Sequence, residues 1–243
     1  MHMPLLAIET ATKQLGVAVI DGDRVLSSYE LLEEYPHAVE LPGAVARVLK
    51  AARTTLQHIE AIVVDIGPGS FTGLRIGLAF AKALAFPAKK PLIGVASLDV
   101  LAASLPYAAR PIVPLLDARQ KNLYGAFYRL HEGRLTKQSE YLLQPAHELI
   151  ARIKEPAILS GDGCAVYRQE LLAQCPDPQF APADLWLPRV TTLARLGAER
   201  FGAGQTDNPA KLVPMYLYLL DCSVRGPDRP TSVLPPASAK VVS

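Results

Sequence analysis

The stretch IGPGSFTGLRIG, residues 66–77, joins a short apolar strand to a long apolar helix. Glycine is costly inside regular elements and proline lacks an amide donor, so Gly67 and Gly69, with the proline between them, predict a tight turn. Ser70 and Thr72 then offer hydroxyl groups to the free amides at the start of the helix. The chain must therefore fold a strand–turn–helix corner, which can serve close packing or anion binding.

Two phosphate-binding motifs fit this corner poorly. A Walker sequence needs a Gly-Lys-Ser/Thr run whose lysine reaches the phosphates, and no such lysine follows the turn. The dinucleotide fingerprint needs G-x-G-x-x-G, whereas this turn has one residue too many between its last two glycines. Local spacing alone therefore favours a packing corner over a nucleotide site.

Composition predicts a soluble cytoplasmic protein with a sizeable core. Half of the 243 residues are hydrophobic and 20% are charged, which suits one or two compact lobes. The net charge of +2 gives no argument for a nucleic-acid surface. Three cysteines without a C-x-x-C pair indicate a reducing compartment. We expect no membrane span or signal peptide, because apolar runs are short or interrupted by charge.

Hydrophobic patterns predict the same order of elements in both halves of the chain, three strands followed by helix, strand and helix. Several residues also recur at an offset of 110, among them Leu5 and Leu6 as Leu115 and Leu116. We predict a first lobe over residues 1–107, a second lobe over 108–221 and a flexible tail over 222–243. In the second half we expect strands over 124–130 and 135–142, and helices over 165–174, 191–203 and 214–220.

Several segments together resemble the TsaB family, also called YeaZ, of bacterial tRNA-modification proteins. They include GPGSFTGLRIG, the preceding hairpin LAIETATKQLGVAVI, GVASL at 94–98, LDAR at 116–119 and GDG at 161–163. The matches run in family order from about residue 5 to residue 165. This resemblance implies an α/β fold of two lobes, the actin-like ATPase fold, with a duplicated βββαβαβα-type lobe.

The same resemblance implies a function. TsaB-like proteins are non-catalytic scaffold or activator subunits of the complex that makes N6-threonylcarbamoyladenosine at position 37 of tRNA. The catalytic TsaD subunit performs the transfer and TsaE is the ATPase. We therefore expect this chain to pair with a TsaD-like and a TsaE-like protein, to meet tRNA through the complex, and to form a homodimer in some circumstances. We expect no cofactor on this chain alone, with ATP and a metal held by its partners.

The residues offer only weak candidates for a cofactor site, namely Glu9, Gly67, Gly69, Ser70 and Asp117. Glu9 stands where the superfamily has a carboxylate near metal-bound phosphates, but local hydrogen bonding to the backbone is the simpler expectation. The histidines lack an H-x-x-x-H spacing, so we predict no metal site and no catalytic set.

The helices predicted around residues 39–52 and 72–86 are apolar on more than one side, which predicts a partner interface. The predicted interface residues are Leu41, Val45, Val48, Gly73, Arg75, Gly77, Leu78, Ala81, Lys82 and Ala85. Steps of four place four small residues of the second helix on one stripe, which permits close helix approach. These helices could instead cover each other and their own sheet. TsaB-like proteins pair through such first-lobe helices with TsaD.

Other functions remain open from the residues alone. An actin-like kinase or ATPase would use the cleft between lobes, with Glu9, Asp117 and the glycine turn. A self-contained homodimeric binding module would use the helix stripe symmetrically. A metal-dependent peptidase ranks last, because the chain offers no ligand set for it.

Overall fold

The computed structural model describes residues 3–32 and 37–217, which form two lobes, each built on a mixed β-sheet. The first sheet has the order β3-β2-β1-β4-β5. Its strands are β1 (Pro4–Glu9), β2 (Gln14–Asp21), β3 (Arg24–Leu32), β4 (Ala61–Gly67) and β5 (Leu92–Ala96). The first three strands are an antiparallel meander, whereas β4 runs parallel to both β1 and β5.

Helices cover both faces of the first sheet. The helices α1 (His37–Ala51) and α2 (Phe71–Ala88) pack on one face, against side chains such as Leu6 and Ile62. The opposite face, with Ala7 and Val63, is covered partly by α3 (Ser97–Ala103). Because side chains alternate along a strand, β1 and β4 are apolar on both faces, as strands buried on two sides must be.

The second sheet repeats the order of the first, as β10-β7-β6-β11-β12. Its strands are β6 (Ile112–Asp117), β7 (Asn122–Gly125), β8 (Tyr128–His131), β9 (Arg134–Lys137), β10 (Leu142–Pro145), β11 (Ile158–Ser160) and β12 (Gln179–Phe180). Strand β7 runs antiparallel to β6 and β10 runs antiparallel to β7, while β11 runs parallel to β6 and β12 parallel to β11. Position by position these five strands match the first lobe, so the predicted duplication and the actin-like fold are confirmed.

Four predicted elements differ in the second half. The strand predicted over 135–142 is interrupted, because β9 ends at Lys137 and β10 begins at Leu142. The strand predicted over 124–130 is broken at Ala126, because β7 pairs with β6 and β10 whereas β8 pairs mainly with β9. The predicted helix over 165–174 is split into α5 (Gly163–Val166) and α6 (Arg168–Gln174), beside the short α4 (Ala146–Ile150). The predicted helix at 214–220 is wrong for 214–217, which are irregular, and its remainder lies outside the described residues.

The last helix among the described residues, α7 (Val190–Gly202), returns to the first lobe. Its Leu193 and Ala194 are fully buried with Ala7 and Val63 of the first sheet. An added Cβ at Gly197 would overlap the Val63 side chain, so the helix lies very close to that sheet. The sequence predicts a second lobe up to residue 221, whereas helix α7 packs on the first lobe.

Helix α2 runs one residue beyond Pro87, where the sequence predicted its end, and Lys89 in a left-handed conformation caps it. A proline in the last turn removes one amide donor without breaking the earlier turns. In the described part of the chain this is the one helix long and apolar enough to cross a membrane, judged by length and composition. Its inner side instead packs into the core of the first lobe.

Candidate functional site

A cleft of about 570 Å³ lies between the lobes, at the ends of β1 and β6. One wall comes from the β1–β2 turn and the start of α2, and the other from the β6–β7 turn. The lining residues are Ala11, Thr12, Lys13, His37, Gly69, Ser70, Phe71, Leu116, Asp117, Ala118, Arg119, Tyr124 and Asp162. Of the five cofactor candidates, the structure brings together Gly69, Ser70 and Asp117.

The turn that contains Gly67 and Gly69, here called the glycine turn, packs against the β1–β2 turn, and together they form one wall of the cleft. The Ser70 amide donates to the Ala11 carbonyl at 2.6 Å, and the Thr10 hydroxyl donates to the Gly73 carbonyl at 2.9 Å. An added Cβ at Gly69 would overlap the Ala11 carbonyl. The Ser70 hydroxyl accepts from the Gly73 amide at 3.2 Å, which caps α2 as predicted. The glycines therefore allow close packing between two turns of the same lobe.

Charged groups of both signs line the cleft. Arg119 and Asp117 form an ion pair at 3.2 Å, and the Asp117 amide donates to Asp162 at 3.0 Å. Burial raises the pKa of Asp162 from its usual value, although the backbone hydrogen bond from Asp117 lowers it. His37 contacts the Thr12 carbonyl at 2.8 Å. Because acids offset the bases, the cleft has no marked preference for an anion.

Two cofactor candidates lie outside the cleft, contrary to the expectation. Glu9 is fully buried, and its Oε1 accepts the Ala11 amide at 2.7 Å. Gly67 is buried against Leu74 and the Met215 carbonyl. Both residues shape the turns that line the cleft without facing it. Across residues 3–32 and 37–217, no three His, Cys, Asp or Glu side chains are grouped to hold a metal ion.

Most of the predicted interface residues are covered by the chain itself, and this part of the prediction is corrected. Eight of the ten are buried in the first lobe, namely Leu41, Val45, Val48, Gly73, Gly77, Leu78, Ala81 and Ala85. The small-residue stripe of α2 lies on the β1–β2 turn, since an added Cβ at Gly73 or Gly77 would overlap Thr10. Of the other two, Arg75 is exposed and Lys82 is half-buried.

The opposite sides of the same two helices expose apolar and small residues that the sequence reasoning missed. Val39 of α1 is 76% exposed and Phe86 of α2 is 82% exposed. Further exposed residues of the same two helices are Pro42, Gly43, Ala46, Ala79 and Ala83. We call this set the outer helix face. Helical spacing predicts the α2 part of this face, because residues 79, 83 and 86 lie on one side of the helix and the buried small-residue stripe lies on the other.

A cation–aromatic cluster stands at the start of α2. The Arg75 guanidinium lies 3.8 Å from the centre of the Phe71 ring and donates to the Tyr216 hydroxyl at 2.9 Å. The Met215 amide donates to the Ile66 carbonyl at 2.7 Å. The chain after α7 is thus fastened beside the glycine turn, near the cleft.

Comparisons with known proteins match a TsaD family model and several relatives named TsaB. Residues 32–198 match the family model described as "TsaD: tRNA N6-adenosine threonylcarbamoyltransferase". The chain is 31% identical to the tRNA threonylcarbamoyladenosine biosynthesis protein TsaB of Bacillus subtilis, over 92% of this chain and 97% of that one. Identity to the Escherichia coli protein of the same name is 29%, over 88% and 94%. The solved structure of YeaZ from Pseudomonas aeruginosa has a TM-score of 0.76 and 27% identity, covering 88% and 100%.

Proposed function

Since this chain belongs to the TsaB family, we propose that it is a non-catalytic scaffold and activator subunit of the complex that makes tRNA N6-threonylcarbamoyladenosine. In this proposal it pairs with the catalytic TsaD-like subunit, works with a TsaE-like ATPase and meets tRNA through the complex in the cytoplasm. The names of the relatives support a place in the biosynthesis of this nucleoside. The match to the TsaD family model supports a partner with a related lobe.

The outer helix face is the observation that carries the proposal. Two neighbouring helices on one side of the first sheet expose apolar residues, and only 33% of α2 is buried. Contiguous exposed apolar surface is characteristic of a protein interface. Exposed Gly43 and Ala79 would let helices of a partner approach closely, because they carry little or no side chain.

A related lobe in the partner would present its equivalent helices, which makes a pseudo-symmetric helical interface the natural arrangement. Two copies of this chain would use the same outer helix face, so a homodimer and the heterodimer would exclude each other. Arg75 and Lys82 lie at the edge of this face, where their charges can stay in contact with water when the partner binds.

The cleft supports the non-catalytic part of the proposal. Its carboxylates Asp117 and Asp162 are engaged by Arg119 and by the Asp117 amide, respectively. Glu9, the carboxylate expected near a phosphate, does not face it. We therefore assign ATP and metal binding to the partner subunits, with none on this chain alone.

Light scattering after size exclusion tests the pairing. The wild-type chain mixed with the TsaD-like protein of its own organism is expected to form a one-to-one complex. Ala79→Arg places a charge on the outer helix face and should abolish the complex. Leu172→Arg is the matched control, because Leu172 is an exposed residue of α6 in the second lobe. No complex with wild type, or one that Ala79→Arg leaves intact, would overturn the proposal.

The variant must lie on the exposed side of α2 for this test to be informative. Ala81 is fully buried, so Ala81→Arg would force a charge into the core and unfold the lobe whatever the function. Ala79 is exposed, so its arginine variant should keep the fold. Equal circular-dichroism melting curves for wild type and Ala79→Arg would establish that only the surface has changed.

A further inference from the structure

Two carboxyl groups lie side by side in the interior of the first lobe. Glu9 ends β1 and Asp65 lies on β4, the parallel neighbour, where Ile8 pairs with Val64 in the strand register. Both residues are fully buried. Alternation along the strands points both side chains to the face opposite α1 and α2, beneath α3 and α7.

Each carboxyl group has one oxygen bonded to donors and one without a donor. Oε1 of Glu9 accepts the Ala11 amide at 2.7 Å. Oδ1 of Asp65 accepts the Gly67 amide at 2.6 Å and the Ser97 hydroxyl at 2.7 Å. Oε2 of Glu9 and Oδ2 of Asp65 have no hydrogen-bond partner, although the two side chains meet each other. Two ionised carboxylates cannot donate to each other, and burying both charges is costly.

We propose that Glu9 and Asp65 bind one proton between Oε2 of Glu9 and Oδ2 of Asp65. One proton turns two unpartnered acceptors into an O–H···O hydrogen bond, which is short and strong when one oxygen is charged. It also leaves a single negative charge on the pair, and the Ala11, Gly67 and Ser97 donors stabilise that charge. This inference does not depend on the proposed function.

The surroundings favour retention of the proton. Burial, then the neighbouring Asp65 charge, raise the pKa of Glu9 well above its usual value, and burial raises the pKa of Asp65. The other charged groups that act on the pair are Glu30 from β3 and Asp99 from α3, both acidic. The cation Arg189, at the start of α7, is engaged by Glu30 at 2.5 Å.

The shared proton stabilises the wall of the cleft, because the Glu9–Asp65 pair accepts hydrogen bonds from both turns that form this wall. The Ala11 amide belongs to the β1–β2 turn and the Gly67 amide to the glycine turn, so the pair holds one backbone group of each. The Ser70 amide joins the same two turns through the Ala11 carbonyl. Loss of the proton would place two charges in contact beneath both turns. The pair thus links the order of the cleft wall to pH.

The direction of the pH dependence follows from proton linkage. An unfolded glutamic acid has a pKa of about 4.3, whereas the folded pair keeps its proton at higher pH. Between the unfolded and folded pKa values, the folded protein binds one proton more than the unfolded chain. The ratio of folded to unfolded protein attributable to this pair therefore falls about tenfold per pH unit across that window.

Urea denaturation of wild type and Glu9→Gln over a series of pH values tests the proposal. The glutamine amide donates permanently to Oδ2 of Asp65, so the variant needs no shared proton. Relative to Glu9→Gln, the wild-type folding equilibrium should weaken about tenfold per pH unit above the unfolded pKa. Glu148→Gln is the control, because it removes an exposed glutamate of α4 in the second lobe and should follow wild type. Parallel curves for wild type and Glu9→Gln would refute the shared proton.

Infrared spectroscopy of the folded protein gives a second test that does not rely on stability. Folded wild type just above the pKa of an unfolded glutamic acid should show the carbonyl band of a neutral carboxylic acid, and this band should disappear on unfolding at the same pH. The band should persist in Asp162→Asn, which removes a half-buried acid that lines the cleft and has a raised pKa. If wild type lacks the band, or Asp162→Asn removes it entirely, the proposal is overturned.

Discussion

At the scale of single residues, the glycines in the first turns of α2 let the β1–β2 turn pack closely against this helix. Gly73 and Gly77 lie one helical turn apart, and an added Cβ at either would overlap Thr10. The Thr10 hydroxyl donates to the Gly73 carbonyl, so the contact combines close packing with a buried hydrogen bond. The local spacing favoured such a packing corner, and the structure identifies the β1–β2 turn as the surface it packs on.

We expect Gly77→Ala to destabilise the protein by roughly 1–3 kcal/mol, because the added methyl group overpacks the contact with Thr10. The effect should oppose the better helix propensity of alanine. Urea denaturation measures it. Gly43→Ala is the matched control in α1, where the added Cβ meets only the Arg47 side chain at 3.8 Å. That variant should be stabilised by about 0.5–1 kcal/mol, and equal effects for both variants would contradict this reading.

The sequence located the cleft residues better than it located the buried acids. Gly69 and Ser70 follow β4 and Asp117 ends β6, where turns meet at the sheet edge, and they line the cleft. Glu9 ends β1 and Asp65 lies near the end of β4. The alternation of side chains along each strand turns both carboxyl groups into the interior. A buried carboxyl pair could not be predicted, because pairing depends on the register of β1 against β4.

At the scale of elements, the apolar helix α2 packs on its own lobe with one side and exposes the other side to solvent. Steps of four predicted a stripe of small residues, which is present but buried on its own lobe. The exposed side carries Ala79, Ala83 and Phe86. Periodicity gives the sides of a helix but not which side faces the sheet, because that depends on contacts distant in sequence.

Helix α7 makes a separate prediction, because it covers the first lobe although it follows the second in sequence. Leu193→Ala should destabilise the protein by about 2–5 kcal/mol, since it opens a cavity among fully buried residues. Hydrogen exchange should report the loss of protection first in β1 and β4. The control Leu172→Ala removes an exposed leucine of α6 and should change little. Deprotection that begins in β11 would contradict the placement of α7.

At the scale of the whole molecule, the two sheets are equivalent, and the turns after their equivalent strands β1 and β6 line one cleft. The offset of 110 residues and the repeated element order predicted this duplication from the sequence. The sequence predicted the β8–β9 hairpin only as the meeting ends of two longer strands. It did not predict the return of α7 to the first lobe, because that depends on contacts distant in sequence. The flexible tail predicted over 222–243 lies outside the described ranges.

Reconstitution of the tRNA modification tests the proposed role most directly. The TsaD-like and TsaE-like proteins of the same organism would be incubated with unmodified tRNA, ATP and threonylcarbamoyl-adenylate, and the product nucleoside measured by mass spectrometry. We predict product only when this chain is added, with Leu172→Arg as effective as wild type and Ala79→Arg inactive. Full product without this chain, or equal product with Ala79→Arg, would contradict the proposal that it activates its partner through the outer helix face.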